Sequence, residues 1–149
     1  MKPESDPIAD DEWLLRRVRV EQFRTEVFPQ ISPNAFEPRI KGRDPDVDGI
    51  SLYQAACLAD PADILAAVSP DRIREYGIVR VPVNLLKSLH LSVESRPNLQ
   101  ILGHVVIPEL NSVDYAANKV TFTPIKMQLA AAASEEANII RHPSPPESN

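Results

Sequence analysis

Acidic side chains recur at every second position in the segment DPDVDG. Asp44, Asp46, Asp48 and Gly49 match positions 1, 3, 5 and 6 of a calcium-binding loop, which binds its ion through oxygen ligands. Such a loop also needs a bidentate glutamate at position 12, and Ala55 stands there. We therefore expect no calcium site, and we interpret the segment as an acidic turn that leads into a strand.

A histidine in the apolar segment ILGHVVIPE is a second candidate for chemistry. The ring of His104 needs either a hydrogen-bond partner or a cleft, because a buried polar group without a partner is costly. One interpretation is a core or edge histidine bonded to backbone. The other is a site histidine beside Gly103, whose missing side chain leaves room for a ligand or for backbone. Glu109 follows the strand end, either as a carboxylate partner or as a solvated charge.

Polar residues also lie on two earlier predicted strands. WLLRRVR, residues 13–19, is predicted as a strand that carries Arg16 and Arg17, with a short helix as the alternative because the run is too short for periodicity to decide. ISLYQ is predicted as a second strand, which carries Ser51 and Tyr53. The proline-rich loop between them is long, and loops of such length are often functional.

Local signals predict the elements that must position these residues. DPADILAAV and SPDRIREYG each place a capping residue before a proline, as helix starts do. YGIVRVPV alternates as a strand, VPVNLLKSLHL indicates a short helix, and a further strand is expected from about 99 to 107. A last helix is expected from about 124 to 140. Because strands and helices mix without regular βαβ alternation, we predict a compact α+β domain with a largely antiparallel sheet, short flanking helices and a C-terminal helix.

The chain has 149 residues, of which 43% are hydrophobic, enough for one core. We expect a flexible N-terminal tail over 1–10, one globular domain over 11–141 and a disordered C-terminal tail over 142–149. The single cysteine, Cys57, excludes an intrachain disulfide and is interpreted as a small buried hydrophobe. Neither a membrane span nor a signal peptide is indicated, so a cytoplasmic protein is predicted.

The formal net charge of −5 argues against nucleic acid as the main partner. Arg16, Arg17 and Arg19 are a local exception, interpreted as a solvated edge, with a nucleic-acid patch as the weaker alternative. No metal is expected either, since the histidines and the cysteine are never at ligand spacing.

The order of these residues resembles that of small bacterial ADP-ribosyltransferase-like toxins, of the RES or secreted-effector type. The resemblance is carried by WLLRRV, by SLYQ after a long loop, and by GHVVIP. It implies NAD as substrate, with Arg16 or Arg17 on phosphate, Ser51 and Tyr53 on ribose and nicotinamide, and His104 orienting the reacting ribose. GHVVIP lacks the glutamate that many such transferases use, so His104 or Glu109 would have to replace it.

Two functions follow as hypotheses. The first is a toxin or defence-associated enzyme that uses NAD, with the loop at 29–49 as a lid. The second is a non-catalytic subunit of a toxin–antitoxin or defence assembly, in which the antitoxin or another subunit is the protein partner. The alanine-rich C-terminal helix favours the second, because its apolar face exceeds what a small core needs.

Overall fold

An antiparallel sheet forms the centre of the molecule in a computed structural model, which describes residues 1–24, 26–42 and 44–144. Within these residues the strands are β1 (Trp13–Arg19), β2 (Ile50–Gln54), β3 (Tyr76–Pro82), β4 (Glu94–Ser95), β5 (His104–Ile107) and β6 (Ile139–Arg141). Their order across the sheet is β4-β5-β2-β1-β3-β6, with antiparallel neighbours throughout. The α+β prediction is confirmed, and so is the strand at 13–19.

Helices surround this sheet. The α-helices of the described residues are α1 (Val83–Ser88), α2 (Ser112–Ala117) and α3 (Lys119–Ala133). Short 3₁₀ helices occupy Val20–Gln22, Pro33–Phe36, Ala55–Cys57, Pro61–Leu65, Pro70–Glu75 and Glu136–Asn138. Three of them begin at a proline, whose fixed φ suits the first helical position. The helices expected in DPADILAAV and SPDRIREYG therefore form, but each is a short 3₁₀ helix.

Alternation along β1 sends its side chains to two separate cores. Leu14 and Val18 lie in the larger core, together with Phe36 and residues of α3. Leu15 lies on the opposite face of the sheet, in a smaller core with Tyr53 and the 3₁₀ helix Pro61–Leu65. The sheet is therefore covered on both faces at β1.

The predicted range of the C-terminal helix is wrong at both ends. We expected helix from about 124 to 140, but α3 begins at Lys119, contains Pro124 and ends at Ala133. The chain continues as a 3₁₀ turn and then as β6, which pairs with the edge strand β3. This long-range pairing overrides the local helix propensity. Ala130 and Ala133 are fully buried, so the alanine run serves the core.

The strand expected from about 99 to 107 is also shorter, because β5 begins at His104. Asn98 explains why the strand begins later than expected. Its side-chain oxygen accepts hydrogen bonds from the backbone N–H groups of Gln100 and Ile101, at 3.0 and 2.8 Å, and so holds the chain in a turn.

The first residues contact the body of the domain. The Lys2 ammonium pairs with Glu12 at 2.8 Å and donates to the Gln54 side chain at 2.6 Å, while Glu4 accepts a hydrogen bond from the Gly103 N–H at 3.0 Å. Flexibility of residues 1–10 stays a prediction. So does disorder of 142–149, where residues 145–149 lie outside the described part. Among the described helices, none has the length and apolar character to cross a membrane.

Candidate functional site

A cavity lies where β1 and β2 separate. In the described chain the register joins these strands at Leu14–Gln54 and Leu15–Tyr53, whereas β1 pairs with β3 along its whole length. Beyond Leu15 a space of about 850 Å³ opens between them. That volume is within the range of small-molecule sites, about 300–1,000 Å³. We call it the fork cavity; parts of β1, β2, the loop between residues 34 and 46, and the segment between 67 and 76 line it.

Cations outnumber carboxylates among the side chains that line the fork cavity, and two of these cations, Arg19 and Arg72, form ion pairs with Glu21 and Glu75 beside it. Of its described lining side chains, six are positively charged and two are carboxylates: Arg16, Arg17, Arg19, Arg39, Lys41 and Arg72 against Glu37 and Asp46. The whole chain carries a formal net charge of −5, so the charge of the cavity lining is opposite in sign to the net charge of the protein. A cleft lined by one sign of charge raises the local concentration of oppositely charged ligands.

Arg16 fills the gap between the two strands. Its Nε donates to the backbone oxygen of Ala35 at 2.5 Å and its Nη1 to that of Ser51 at 2.8 Å, and the guanidinium lies 5.9 Å from the Phe36 ring centroid. Burial lowers the pKa of Arg16 to about 10, so the group is still a cation at neutral pH. Two of its nitrogens donate to backbone carbonyls, so Arg16 holds β2 to the 3₁₀ helix Pro33–Phe36.

Arg17 points to the other face of the sheet. Its guanidinium lies 5.7 Å from the centroid of the Tyr53 ring, and Nη1 donates to the backbone oxygen of Ile64 at 3.1 Å. These contacts fix the direction of the side chain without a carboxylate, so the charge is not neutralised by them. Arg17 therefore fits the phosphate-binding role better than Arg16 does.

His104 and Ser51 form a hydrogen-bonded pair across β2 and β5. The Nε2 atom of His104 is 2.9 Å from the Ser51 hydroxyl, and Nδ1 is 2.5 Å from the backbone oxygen of Arg96. The imidazole also packs on Tyr53, with ring centroids 5.3 Å apart. His104 thus has a backbone partner, as the first interpretation expected, and also contacts a residue that lines the fork cavity. The space beside Gly103 is filled by Cys57 and Gln54.

Glu109 lies apart from this group. Its carboxylate accepts hydrogen bonds from the backbone N–H and the hydroxyl of Ser92, at 2.8 and 2.7 Å, and it does not line the fork cavity. Partial burial opposes ionisation, but the bonds from Ser92 outweigh it and lower the pKa of Glu109. The structure brings together Arg16, Arg17, Ser51, Tyr53 and, behind them, His104, and leaves Glu109 outside.

The carboxylates of Asp46 and Asp48 in DPDVDG have protein partners of their own. The Asp46 carboxylate accepts the backbone N–H of Arg39 at 2.7 Å, and Asp48 lies 3.7 Å from Arg96. The chain turns at Val47 and Asp48 before entering β2. Across the described ranges, no three His, Cys, Asp or Glu side chains come together as a metal-binding group.

Three of the six cations that line the fork cavity were not predicted from the sequence. Arg39 and Lys41 come from the loop EPRIKG, and Arg72 comes from the 3₁₀ helix Pro70–Glu75. The length of this loop marks it as a functional candidate, and the cations at alternate positions, Arg39 and Lys41, are a second signal in its sequence. Nothing local in SPDRIREYG indicates that Arg72 reaches the same cavity.

No protein-family model, curated protein or solved structure matches this chain.

Proposed function

We propose that this protein binds a phosphate-bearing nucleotide in the fork cavity. The observation that carries the proposal is the excess of cations at one nucleotide-sized cavity of an acidic chain. Guanidinium groups suit this ligand because their planar forks match phosphate oxygens. Tyr76, which is half-buried, adds aromatic surface to the same cavity, and this surface suits the ring of a base.

NAD is the nucleotide that the resemblance to ADP-ribosyltransferase-like toxins favours. In that role Arg17, Lys41 and Arg72 would contact its pyrophosphate, and Ser51 and Tyr53 would contact a ribose and a ring. The resemblance also implies a catalytic carboxylate, since many such transferases use a glutamate. Glu37 and Asp46 line the fork cavity, so they replace Glu109 as candidates for it.

The proposal is tested by calorimetric titration with NAD, ADP and adenosine at two salt concentrations. We expect NAD and ADP to bind, adenosine to bind much more weakly, and affinity to fall as salt screens the cations. Equal binding of adenosine and ADP, or no binding of any of them, would refute it. Release of nicotinamide from NAD decides separately whether the protein consumes this ligand.

A matched pair of variants locates the binding site. Arg72 lines the fork cavity, whereas Arg74 belongs to the same 3₁₀ helix and does not. Arg72→Ala should weaken ADP binding by about 10-fold or more, because a charge-assisted contact contributes about 1.5–3 kcal/mol. Arg74→Ala removes the same charge from the same element and should leave affinity within about 2-fold if the cavity is the site.

A non-catalytic subunit of a toxin–antitoxin or defence assembly is the second candidate. The observation that favours it is a set of exposed apolar side chains on α2 and α3, namely Val113, Val120 and Met127. Single exposed apolar residues are common, so the set supports this function only weakly. Light scattering that shows a monomer, with no partner retained on purification, would count against it.

A further inference from the structure

A chain of two hydrogen bonds ends in the fork cavity and joins the Arg96 carbonyl, His104 and Ser51. Ser51 lines the cavity, His104 lies behind it, and the carbonyl of Arg96 lies behind the imidazole. We infer that Ser51 is a nucleophile activated by His104, and that it attacks phosphorus in a phosphoanhydride bound in the fork cavity. This inference rests on the proposed nucleotide binding and adds a reaction to it.

The hydrogen bonds fix which imidazole nitrogen can act as a base. A backbone carbonyl can only accept, so Nδ1 of His104, 2.5 Å from the Arg96 oxygen, carries the hydrogen of the neutral ring. Nε2 is then an acceptor, and its neighbour at 2.9 Å is the Ser51 hydroxyl, which must donate to it. A nucleophile bonded to a base, with the base oriented by a third group, is the arrangement that activates a serine.

Strand pairing holds this chain of hydrogen bonds in place. Tyr53 lies directly opposite His104 in the β2–β5 register, and Ser51 is the diagonal neighbour two residues away on the same face. Arg96 is fixed in turn, because its backbone N–H donates to the His104 carbonyl at 2.9 Å. The ring packs against Tyr53, so its orientation is held by contacts on several sides. A site on paired strands keeps its geometry better than one on loops.

The groups around Ser51 favour attack on phosphorus over attack on an acyl carbon. Acyl transfer needs donors aimed at one oxyanion, usually backbone N–H groups. The fork cavity instead offers several cationic side chains, and Arg17 lies against the same Tyr53 ring that contacts His104. Guanidinium and ammonium groups stabilise the charge spread over the oxygens of a phosphoryl group during transfer.

The reaction balances with water as the second reactant. In the first step the Ser51 oxygen bonds to phosphorus, its proton passes to Nε2 of His104, and the anhydride P–O bond breaks with its electron pair on the leaving phosphate. In the second step water attacks phosphorus, one of its protons passes to solvent, and the Oγ–P bond breaks. His104 then returns its proton to Ser51, so that the enzyme is restored.

A fluorophosphonate probe tests the nucleophile without a known substrate. Attack by Ser51 forms an O–P bond and expels fluoride, and mass spectrometry of peptides identifies the labelled serine. We expect labelling at Ser51, none in Ser51→Ala, and at least about 100-fold slower labelling in His104→Gln, the low end for loss of a general base. Ser92→Ala is the matched control, since its hydroxyl bonds a carboxylate outside the cavity and labelling should not change. Circular dichroism confirms that each variant is folded.

Two further measurements separate this inference from nucleotide binding. ADP should slow the labelling of Ser51, and incubation with NAD or ADP should release AMP, a release that Ser51→Ala abolishes. Labelling that ADP does not slow, in a protein that titrates no nucleotide, would refute the proposed function. A folded protein that binds ADP but shows no labelling of Ser51, labelling independent of His104, or no AMP release would overturn the inference.

Discussion

The turn that leads into β2 depends on Gly49, and replacing this glycine by alanine is a sharp test of the fold at the site. Gly49 has φ of +118°, a conformation that side-chain-bearing residues rarely adopt. A Cβ atom placed on it would lie 2.1 Å from the backbone oxygen of Ile107 and 3.1 Å from the Cα of Pro108. Both obstacles are backbone atoms of β5 or its end, so no side-chain rotation relieves them.

Two costs add in the Gly49→Ala variant. An L-residue held in a sparsely populated backbone region loses about 1–3 kcal/mol of folding free energy. The overlap with Ile107 must be relieved by a backbone shift, and such overpacking costs about 1–3 kcal/mol more. We therefore expect the free energy of unfolding to fall by about 2–6 kcal/mol, a large part of the roughly 5–15 kcal/mol of a natural domain.

Gly42→Ala is the matched control, because it isolates the overlap from the backbone strain. Gly42 has φ of +104°, close to that of Gly49, but a Cβ there would meet only the Arg39 side chain at 4.0 Å. This variant should lose about 1–3 kcal/mol from the backbone conformation alone. Urea denaturation followed by circular dichroism measures both variants, provided that the m-value is unchanged. Equal losses at Gly42 and Gly49 would refute the contact with Ile107.

Two other variants test the contacts of the candidate site residues. Arg16→Lys should lower the free energy of unfolding by about 1–3 kcal/mol, because one ammonium cannot reach both carbonyls and leaves one unsatisfied. The control is Arg19→Lys at an exposed ion pair with Glu21, which should change the free energy of unfolding by no more than about 0.5 kcal/mol. Equal effects of the two variants would contradict the role of the Arg16 hydrogen bonds to Ala35 and Ser51. Glu109 has a lowered pKa in the fold, so its stabilising contribution is full above about pH 4.5 and is lost as the pH falls further. Urea titrations from pH 7 to pH 3 should therefore show the stability gap between wild type and Glu109→Gln shrinking below that pH, and a constant gap would contradict the role of Ser92.

The fold was predictable where local patterning and tertiary pairing agree. β3 alternates along its length and pairs on both sides, so its pattern predicted it well. The chain after Ala133 shows the opposite case. Local propensity favours continued helix there, but Ile139 and Arg141 pair with the edge of β3. A strand formed only by distant pairing leaves little signal in its own sequence.

The candidate site shows the same limit more sharply. Alternation along a strand puts Arg16 and Arg17 on opposite faces, which predicts that they cannot share a ligand. Both nevertheless line the fork cavity, because β1 and β2 stop pairing after Leu15 and Tyr53 and the space between the strands is reached from either face. The residue types indicated six candidates, namely Arg16, Arg17, Ser51, Tyr53, His104 and Glu109. No local sequence pattern encodes the divergence of β1 and β2. Because of this divergence, Arg16 bonds to backbone between the strands, while Arg17 is the better placed of the two to bind a ligand.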